Sequence, residues 1–258
     1  MTINFRKYNG TGNDFILIDN RNQHFDSSNT ALINKLCTRH FGIGADGLIL
    51  LENADGYDFK MVYFNSDGNE STMCGNGGRC IIRFAHDLKI IGTETTFVAI
   101  DGSHKGKVLE SVISLQMQDV SAIDENETRT ELDTGSPHYV AFMDEISTEE
   151  FVQEARTIRQ NAPYTQEGIN VNFATAKDNK ITMRTFERGV EDETLACGTG
   201  ATAVAIAAHK KGLVTVNSIP LKVMGGDLNV NFEATQNGYT NIWLTGPAEF
   251  VFEGKLEA

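Results

Sequence analysis

Two cysteines in similar sequence settings are the residues best suited to do chemistry in this chain. Cys74 opens the run Cys-Gly-Asn-Gly-Gly, and Cys197 opens the run Cys-Gly-Thr-Gly-Ala. In each half a glutamate stands four residues before the cysteine and a histidine stands twelve residues after it. These residues are Glu70, Glu193, His86 and His209. The repetition indicates an internal duplication in which each half supplies one cysteine.

Each cysteine directly precedes a predicted helix, one at about 75 to 90 and the other at about 198 to 211. The first N–H groups of a helix have no partner within it and carry partial positive charge, so they lower the pKa of a thiol placed there. The same groups can hold a carboxylate. Two such sites facing each other across a cleft could invert a stereocentre, because one thiolate removes a proton and the opposite thiol returns one. A carbon next to an amine and a carboxylate is a very weak acid, so the site would have to stabilise the planar carbanion strongly.

The elements that must position the cysteines mix strands and helices in both halves. In the first half we predict strands at 3–8, 15–20, 46–52, 58–64 and 96–117, and a helix at 30–40 capped by Ser28 or Asn29. In the second half we predict strands at 130–143, 169–176 and 180–187, a helix at 148–160 opened by Ser147, and hairpins turning at Gly225-Gly226 and Asn237-Gly238. Residues 201–208 are apolar almost all round, which is typical of a helix buried inside a domain.

These patterns predict an α+β fold of two pseudo-symmetric domains, each a mostly antiparallel or mixed sheet around a central helix. The boundary is expected near 115–125, with the polar segment from Val120 to Glu127 as the link. We therefore expect a first domain at 1–117 and a second at 118–247.

Bulk composition excludes several functional classes. The 258 residues include 35 acidic and 22 basic ones, a net charge of −13 that repels the phosphate backbone of nucleic acids. No apolar run approaches the roughly 18–20 residues that span a bilayer, and the N-terminus lacks a secretory core, so we expect a soluble cytoplasmic protein. The four cysteines form no Cys-x-x-Cys pair, which argues against zinc-ribbon and thioredoxin-type sites.

Four further motifs give the chain a resemblance to a known family. Tyr63 to Gly68 followed by Met73 to Arg79 resembles the first catalytic signature of the diaminopimelate epimerase family, and Phe186 to Val190 followed by Thr194 to Ala201 resembles the second. The runs Gly10 to Phe15 and Gly42 to Gly47 are similar to the N-terminal substrate turn and the next glycine-rich strand entry of that family. The resemblance spans nearly the whole chain, with the motifs in order.

The resemblance implies specific roles. Cys74 and Cys197 would be the acid and base thiols, and His138 and Glu187 would tune their pKa. The backbone of Gly75-Asn76 and Gly198-Thr199 would hold the carboxylate at the reacting centre. The implied substrate contacts are Asn13, Asn65, Asn170, Glu187 and Arg188.

The same resemblance implies the reaction and its setting. LL- and meso-diaminopimelate would be interconverted without cofactor or metal, in lysine and cell-wall precursor synthesis. A homodimer is implied, as is a return of residues 248–258 as a strand to the first domain.

The chain departs from the family's motifs at two positions, both of which would bind the distal end of the substrate. Ser136 stands in Gly-Ser-Pro-His where the family usually has asparagine, and Gly47 stands where some members carry glutamine.

Other functions remain alternatives at this point. A proline or hydroxyproline epimerase would have the paired cysteines, but such proteins typically carry histidine in place of Asn76 and lack the run from Glu187 to Val190. A histidine racemase stays open because of Ser136. A thiol redox protein or a ligand-binding module without catalysis would use the same cleft differently. We expect Cys37 and Cys80, which lie within predicted helices, to be packing residues.

Overall fold

The computed structural model describes residues 2–257, which fold into two compact units. The first unit ends at Leu115 and is completed by the segment from Gly246 onward, and the second runs from Gln116 to Thr245. The first unit contains α1 (Thr30–Cys37) and α2 (Gly75–Asp87), and the second contains α3 (Phe151–Arg159) and α4 (Gly198–Lys210). The order of strands and helices is similar in the two units, as the duplication predicted.

Eight strands of the first unit form one mixed sheet in the order β18–β1–β2–β3–β4–β6–β7–β8, with the short β5 added beside β4. Neighbouring strands are antiparallel except for β2 with β3 and β4 with β6, which are parallel. The strand bounds are β1 (Thr2–Gly10), β2 (Asn13–Asp19), β3 (Gly47–Glu52), β4 (Lys60–Asn65), β5 (Glu70–Ser71), β6 (Glu94–Ala99), β7 (Gly102–Leu109), β8 (Val112–Gln116) and β18 (Glu249–Glu257).

The second unit repeats this sheet in the order β9–β10–β11–β12–β13–β15–β16–β17, with β14 beside β13. Its parallel pairs are β11 with β12 and β13 with β15, at the same places in the order as in the first unit. The bounds are β9 (Ile123–Glu125), β10 (Thr130–Asp133), β11 (Pro137–Phe142), β12 (Asn170–Lys177), β13 (Lys180–Glu187), β14 (Asp192–Thr194), β15 (Ser218–Val223), β16 (Gly226–Thr235) and β17 (Gly238–Pro247).

One helix in each unit is almost entirely buried. Helix α2 packs against β1, β2, β3 and β7, and α4 packs against β10 to β13, β15 and β16. All residues of α4 from Gly200 to Ala208 are buried. Helices α1 and α3 instead bury one face each, against β3 and against β12 and β13 respectively. The predicted fold class, an α+β duplication with a central helix in each half, is confirmed.

Several element limits differ from the sequence prediction for local reasons. Helix α2 ends at Asp87 rather than near 90, because Lys89 takes a left-handed conformation with φ of 60°. Helix α3 begins at Phe151 rather than 148, since the preceding residues form a turn in which Ser147 Oγ accepts a hydrogen bond from the Glu150 N–H. Of the two predicted caps of α1, Ser28 and Asn29, the cap is Asn29, whose side chain accepts from the Leu32 N–H, and the helix ends at Cys37 rather than at residue 40.

The segment from Val120 to Glu127, which was expected from its polarity to link the domains, contains a strand. Its central residues form β9, which pairs antiparallel with β10. Polar composition was misleading because β9 is a short edge strand whose side chains are mostly exposed, and such strands need few apolar residues. Strand β18 pairs antiparallel with β1, so it takes the place in the first unit that β9 takes beside β10 in the second.

Within residues 2–257, none of the helices is both long and apolar enough to cross a membrane.

Candidate functional site

The first candidate thiol, Cys74, is the N-cap residue of α2, with an extended backbone that aligns the following residues for the helix. The chain can bring the β1–β2 turn close to this helix because Gly10 has no side chain. A Cβ at Gly10 would lie 2.8 Å from the Asn76 carbonyl oxygen and 3.0 Å from the Cys80 sulfur. The sequence therefore uses glycine to seat the end of β1 directly against the first turn of α2.

Asn13, Cys74 and Asn76 come together at the start of α2. The Asn13 Oδ1 atom lies 3.8 Å from the Cys74 sulfur and accepts a hydrogen bond of 3.3 Å from Asn76 Nδ2. Cys74 is part-buried and Asn76 is buried. Asn13 thus lies within hydrogen-bonding reach of both Cys74 and Asn76, although 61 residues separate it from Cys74 in sequence.

A group of charged residues fixes the orientation of the Asn13 side chain. Asn13 Nδ2 donates to the Asp46 carboxylate at 2.6 Å, and Arg39 bridges Asp46 and Asp14 with bonds of 2.9 and 2.6 Å. The buried Lys7 ammonium pairs with Asp14 at 2.8 Å. Burial opposes ionisation of Asp14, but the hydrogen bonds from Arg39 and Lys7 outweigh it and lower its pKa to about 2. The hydrogen bond to the Asp46 carboxylate therefore fixes the direction in which Asn13 points its amide.

Arg79 is fully buried on α2, one turn beyond Cys74. Its guanidinium donates to Thr11 Oγ1 and Asn76 Oδ1, both at 2.9 Å, and to the Gly75 carbonyl at 3.3 Å. Burial lowers its pKa, while the neighbouring cysteines favour its charged form. A buried cation beside a thiol in turn favours the thiolate, so Arg79 adds to the effect of the helix terminus on Cys74.

Asn65 lies at the same edge of the sheet. The register pairs Phe15 with Gly47 and Gly47 with Asn65, which aligns the ends of three neighbouring strands. Asn65 is exposed and begins the turn that leads to β5. The structure gives Gly47 a steric role, because a Cβ there would lie 2.6 Å from both the Tyr63 ring and the Phe64 carbonyl oxygen.

The second candidate thiol, Cys197, is the N-cap residue of α4 and is also extended. It is 6% exposed, and its sulfur lies 3.4 Å from Thr199 Oγ1. The Thr134 hydroxyl donates to the Thr199 carbonyl at 2.8 Å and so anchors the first turn of the helix. Gly200 completes this turn, since a Cβ there would come within 2.7 Å of the Asn172 side-chain oxygen.

His138 is buried behind this helix terminus. Its Nε2 atom lies 2.9 Å from Thr199 Oγ1 and 3.1 Å from Ser136 Oγ, and its Nδ1 atom lies 3.0 Å from Asn172 Nδ2. Burial lowers the pKa of His138 to about 3, and the positive charge of Arg188 acts in the same direction. The imidazole is therefore neutral at ordinary pH.

Asn170, Glu187 and Arg188 lie at the same strand ends as His138, because β11, β12 and β13 are neighbours in register. Asn170 Oδ1 accepts from the Arg188 backbone N–H at 2.8 Å, and its Nδ2 donates to Ser136 Oγ at 3.1 Å. The exposed Arg188 guanidinium donates to the Glu167 carbonyl at 2.8 Å. Burial raises the pKa of Glu187, against a smaller opposing effect of Thr194.

The predicted residues thus fall into two groups, one in each unit. The first contains Asn13, Asn65, Cys74, Gly75 and Asn76, and the second contains His138, Asn170, Glu187, Arg188, Cys197, Gly198 and Thr199. In each group a cysteine at a helix terminus is joined by amide side chains that can both donate and accept hydrogen bonds. Such a group can carry a proton on sulfur and hold a carboxylate beside it.

Sequence reasoning assigned no role to Asp46, Arg79 or Asn172. Asp46 and Arg79 lie inside the quoted motifs, which was the available signal, whereas Asn172 is marked only by its place two residues after Asn170 on the same strand. Cys37 and Cys80 are buried, and burial raises the pKa of each thiol to about 12. Among residues 2–257 no cluster of three or more histidine, cysteine or acidic side chains is arranged to hold a metal ion.

Comparisons with solved structures show the fold. A phenazine biosynthesis protein of the PhzF family from Bacillus anthracis matches with a TM-score of 0.79 at 12% identity, covering 100% of both chains. A hydroxyproline epimerase from Agrobacterium vitis, with bound trans-4-hydroxy-L-proline, matches with a TM-score of 0.70 at 12% identity, covering 99% of this chain and 92% of that one.

Sequence comparisons find relatives with much higher identity to this chain. A diaminopimelate epimerase from Flavobacterium psychrophilum is 56% identical over 96% of this chain and 97% of its own, and one from Chlorobaculum tepidum is 42% identical over 96% and 98%. The family model described as diaminopimelate epimerase matches residues 5–112 and 130–251, once in each half. This chain belongs to the diaminopimelate epimerase family.

Proposed function

We propose that this protein is an isomerase that interconverts LL-2,6-diaminopimelate and meso-diaminopimelate, a step of lysine and peptidoglycan precursor synthesis. The single observation that carries the proposal is the pair of cysteines at the N-termini of two buried helices, in a chain 56% identical to a diaminopimelate epimerase over 96% of its length. Each helix terminus combines a thiol with a place for a carboxylate.

In the proposed mechanism one cysteine acts as thiolate base and the other as thiol acid. The base removes the α-proton, and the acid delivers a proton to the opposite face of the planar carbanion, so the configuration inverts without pyridoxal phosphate or metal. The backbone of Gly75-Asn76 and Gly198-Thr199 holds the α-carboxylate and stabilises the charge that develops on it. The mechanism requires that both thiols reach the same carbon atom. The two units act as the two domains of the enzyme, and their limits lie within two residues of the domains expected from the sequence, 1–117 with 248–258, and 118–247.

The remaining predicted residues take supporting roles in this proposal. Asn13, Asn65, Asn170, Glu187 and Arg188 contact the substrate, and an arginine suits a carboxylate because it can form two parallel hydrogen bonds. His138 and Glu187 act on the pKa of the cysteine pair. For His138 the support is its contact with Thr199, which in turn contacts Cys197.

Proline-type and histidine-type substrates are second candidates that the local contacts do not favour. Ser136, the departure from the usual asparagine, donates or accepts within a cluster that includes His138, Thr199 and Asn170. Its hydroxyl is thus already part of the hydrogen-bond network behind Cys197. Asn76, at the position where proline-type enzymes typically carry histidine, is bonded to Asn13 and Arg79 in the first turn of α2.

The test is isotope exchange without any added cofactor. The protein is incubated with LL-diaminopimelate in heavy water, and deuterium at the α-carbon is followed by NMR while chiral chromatography measures the meso form. We expect enzyme-dependent uptake of deuterium together with appearance of the meso form. Absence of both with diaminopimelate, alongside exchange into proline or histidine, would replace the proposed substrate. Absence of exchange in every amino acid tried would favour a thiol redox function instead.

We also propose that the protein works in the cytoplasm, where its thiols stay reduced, and that it forms a homodimer. The support for the dimer is an apolar row on the edge strand β18, where Phe250, Val251 and Phe252 are 49%, 53% and 44% exposed. Burying such a row against a second copy would stabilise the association. Sedimentation velocity should give a single species of twice the chain mass, and replacing Phe252 by lysine should shift it toward the monomer.

A further inference from the structure

Asn172 is a fully buried amide on β12 whose orientation is fixed by its surroundings. Its Nδ2 atom donates to the Tyr139 carbonyl oxygen at 3.0 Å, and its Oδ1 atom accepts from the Thr185 hydroxyl at 2.9 Å. A carbonyl oxygen can only accept, so the amide nitrogen must face Tyr139. The second hydrogen of the same nitrogen then points at His138 Nδ1, 3.0 Å away.

This contact decides which nitrogen of His138 carries a proton. Nδ1 receives a hydrogen bond from Asn172, so it must present its lone pair. The ring is neutral because burial lowers its pKa to about 3. The only remaining place for the proton is Nε2, which lies 2.9 Å from Thr199 Oγ1.

Hydrogen bonds then converge on the Thr199 hydroxyl oxygen. His138 Nε2–H donates to it at 2.9 Å, the shorter of its two contacts, since Ser136 Oγ lies 3.1 Å from the same nitrogen. The Ser136 hydroxyl, which itself accepts from Asn170 Nδ2, lies 3.1 Å from the Thr199 oxygen and can donate to it as well. An oxygen that accepts twice has its lone pairs filled, and its own proton must go elsewhere. The Cys197 sulfur, 3.4 Å from Thr199 Oγ1, is the acceptor placed to receive it.

We propose that Asn172 is a positioning residue for Cys197: it holds His138 in the Nε2–H tautomer, so that the Thr199 hydroxyl proton is directed onto the Cys197 sulfur. The inference rests on the proposed function, because it takes Cys197 as one of the two reacting thiols. Asn172 acts on the thiol through His138 and Thr199.

The consequence is a thiolate stabilised by a directed donor. A hydroxyl that donates to sulfur favours the charged form of the thiol, and it adds to the effect of the α4 N-terminus. The positive charge of Arg188 acts on this chain of contacts and lowers the pKa of His138. His138 therefore acts as a fixed donor, with no role as a base toward Cys197.

The tautomer can be measured directly. Two-bond ¹H–¹⁵N correlation spectra of the full chain report which ring nitrogen of a histidine is protonated, and the His138 signals are assigned by their loss in His138→Gln. We expect the wild-type proton on Nε2. In Asn172→Asp an acceptor oxygen replaces the donor that faces Nδ1, so the proton should move to Nδ1. A wild-type ring protonated on Nδ1, or an unchanged tautomer in Asn172→Asp, overturns the proposal.

Thiol reactivity tests the next step without a change at Asn172. Alkylation of Cys197 by iodoacetamide at pH 7 is read by peptide mass spectrometry in Thr199→Val, which keeps the shape and loses the hydroxyl, and in Thr199→Ser, which keeps the hydroxyl. We expect the rate to fall about fivefold or more with valine and to stay within about twofold with serine. Equal rates in the two variants overturn the proposal, even if Asn172→Asp fails to fold.

Kinetics separate this inference from the proposed function. With diaminopimelate as substrate, Asn172→Asp should lower kcat by about tenfold or more with little change in KM, because the substitution affects the thiol and not the binding of the substrate. The matched control is Asn229→Asp on β16, which adds the same charge and should retain wild-type kcat. If wild type epimerises and Asn172→Asp is equally active, the inference alone fails. If wild type does not act on diaminopimelate while the tautomer is as stated, the proposed function alone fails.

Discussion

The Asp46 carboxylate accepts a hydrogen bond of 2.6 Å from Asn13 Nδ2, and this contact turns the oxygen of the Asn13 amide toward Cys74 and Asn76. Asp46 is itself held by Arg39 at 2.9 Å. A fixed charge therefore determines which end of Asn13 faces the candidate thiol. Without it the amide could turn over and present its nitrogen instead.

Replacing Asp46 by alanine should lower kcat/KM about tenfold, since one charge-assisted hydrogen bond that orients a site residue is worth roughly 1.4 kcal/mol. Steady-state rates with diaminopimelate measure the effect. Asp55→Ala is the control, because Asp55 is an exposed carboxylate in a turn and its loss changes the net charge equally. Equal rates for the two variants would show that Asn13 does not depend on Asp46.

The central features of the fold were predictable because local signals and global fold agree. The apolar run at 201–208 fits only a buried helix, and the repeated Cys-Gly-x-Gly pattern located the starts of α2 and α4. Strand β9 escaped prediction because an edge strand can be polar. The delayed start of α3 escaped because the signals at Ser147 serve a turn rather than the helix.

The sequence motifs of the candidate site could be predicted, but the contacts that its residues make could not. The repeated spacing marks Cys74 and Cys197, and the family resemblance adds Asn76 and Thr199. The partners behind them, such as Asp46 and Asn172, are selected by strand register and by the packing of a helix on a sheet, neither of which a single sequence reveals. The functional roles of the predicted residues remain predictions that the following variants test.

Replacing Cys74 or Cys197 by alanine should each reduce epimerisation about 10³-fold or more, because each removes an acid or base that no neighbour replaces. Chiral analysis of the product gives the rate, and circular dichroism checks that the fold persists. Cys37→Ala is the matched control, since this thiol is buried on α1 with its pKa raised to about 12 by burial. It should cost about 1 kcal/mol of stability and leave the rate within about twofold. Normal turnover in either of the first two variants would rule out the two-thiol mechanism.

Replacing Arg79 by methionine should lower the free energy of unfolding by about 3 kcal/mol, because it leaves Thr11, Asn76 and the Gly75 carbonyl without their buried donor. Urea denaturation measures the change. Arg83→Met on the same helix is the control, where a part-exposed guanidinium donates to the Glu110 carbonyl at 3.1 Å. Its cost should stay below about 1 kcal/mol. Similar losses in both variants would contradict the structural role given to Arg79.

The burial of His138 makes a further prediction about stability and pH. Its pKa is about 3 in the folded protein, lowered by burial and by the charge of Arg188, whereas an unfolded chain has an ordinary histidine near 6.5. Between these values the unfolded state binds the proton and the folded state does not. Stability contributed by this residue is therefore present above about pH 6.5 and falls as the pH drops toward 3.

This effect should appear as a difference between wild type and His138→Gln, whose neutral side chain can still donate and accept in the same place. Chemical denaturation at pH 7, 6, 5 and 4 gives the free energy of unfolding of each. The wild type should lose up to about 1.4 kcal/mol per pH unit more than the variant between pH 6 and 4, because one more proton is taken up on unfolding. Carboxylates titrate in both proteins and cancel in the difference. Parallel curves would mean that His138 binds its proton as readily in the folded protein as in the unfolded chain, which would contradict the lowered pKa assigned to the buried ring.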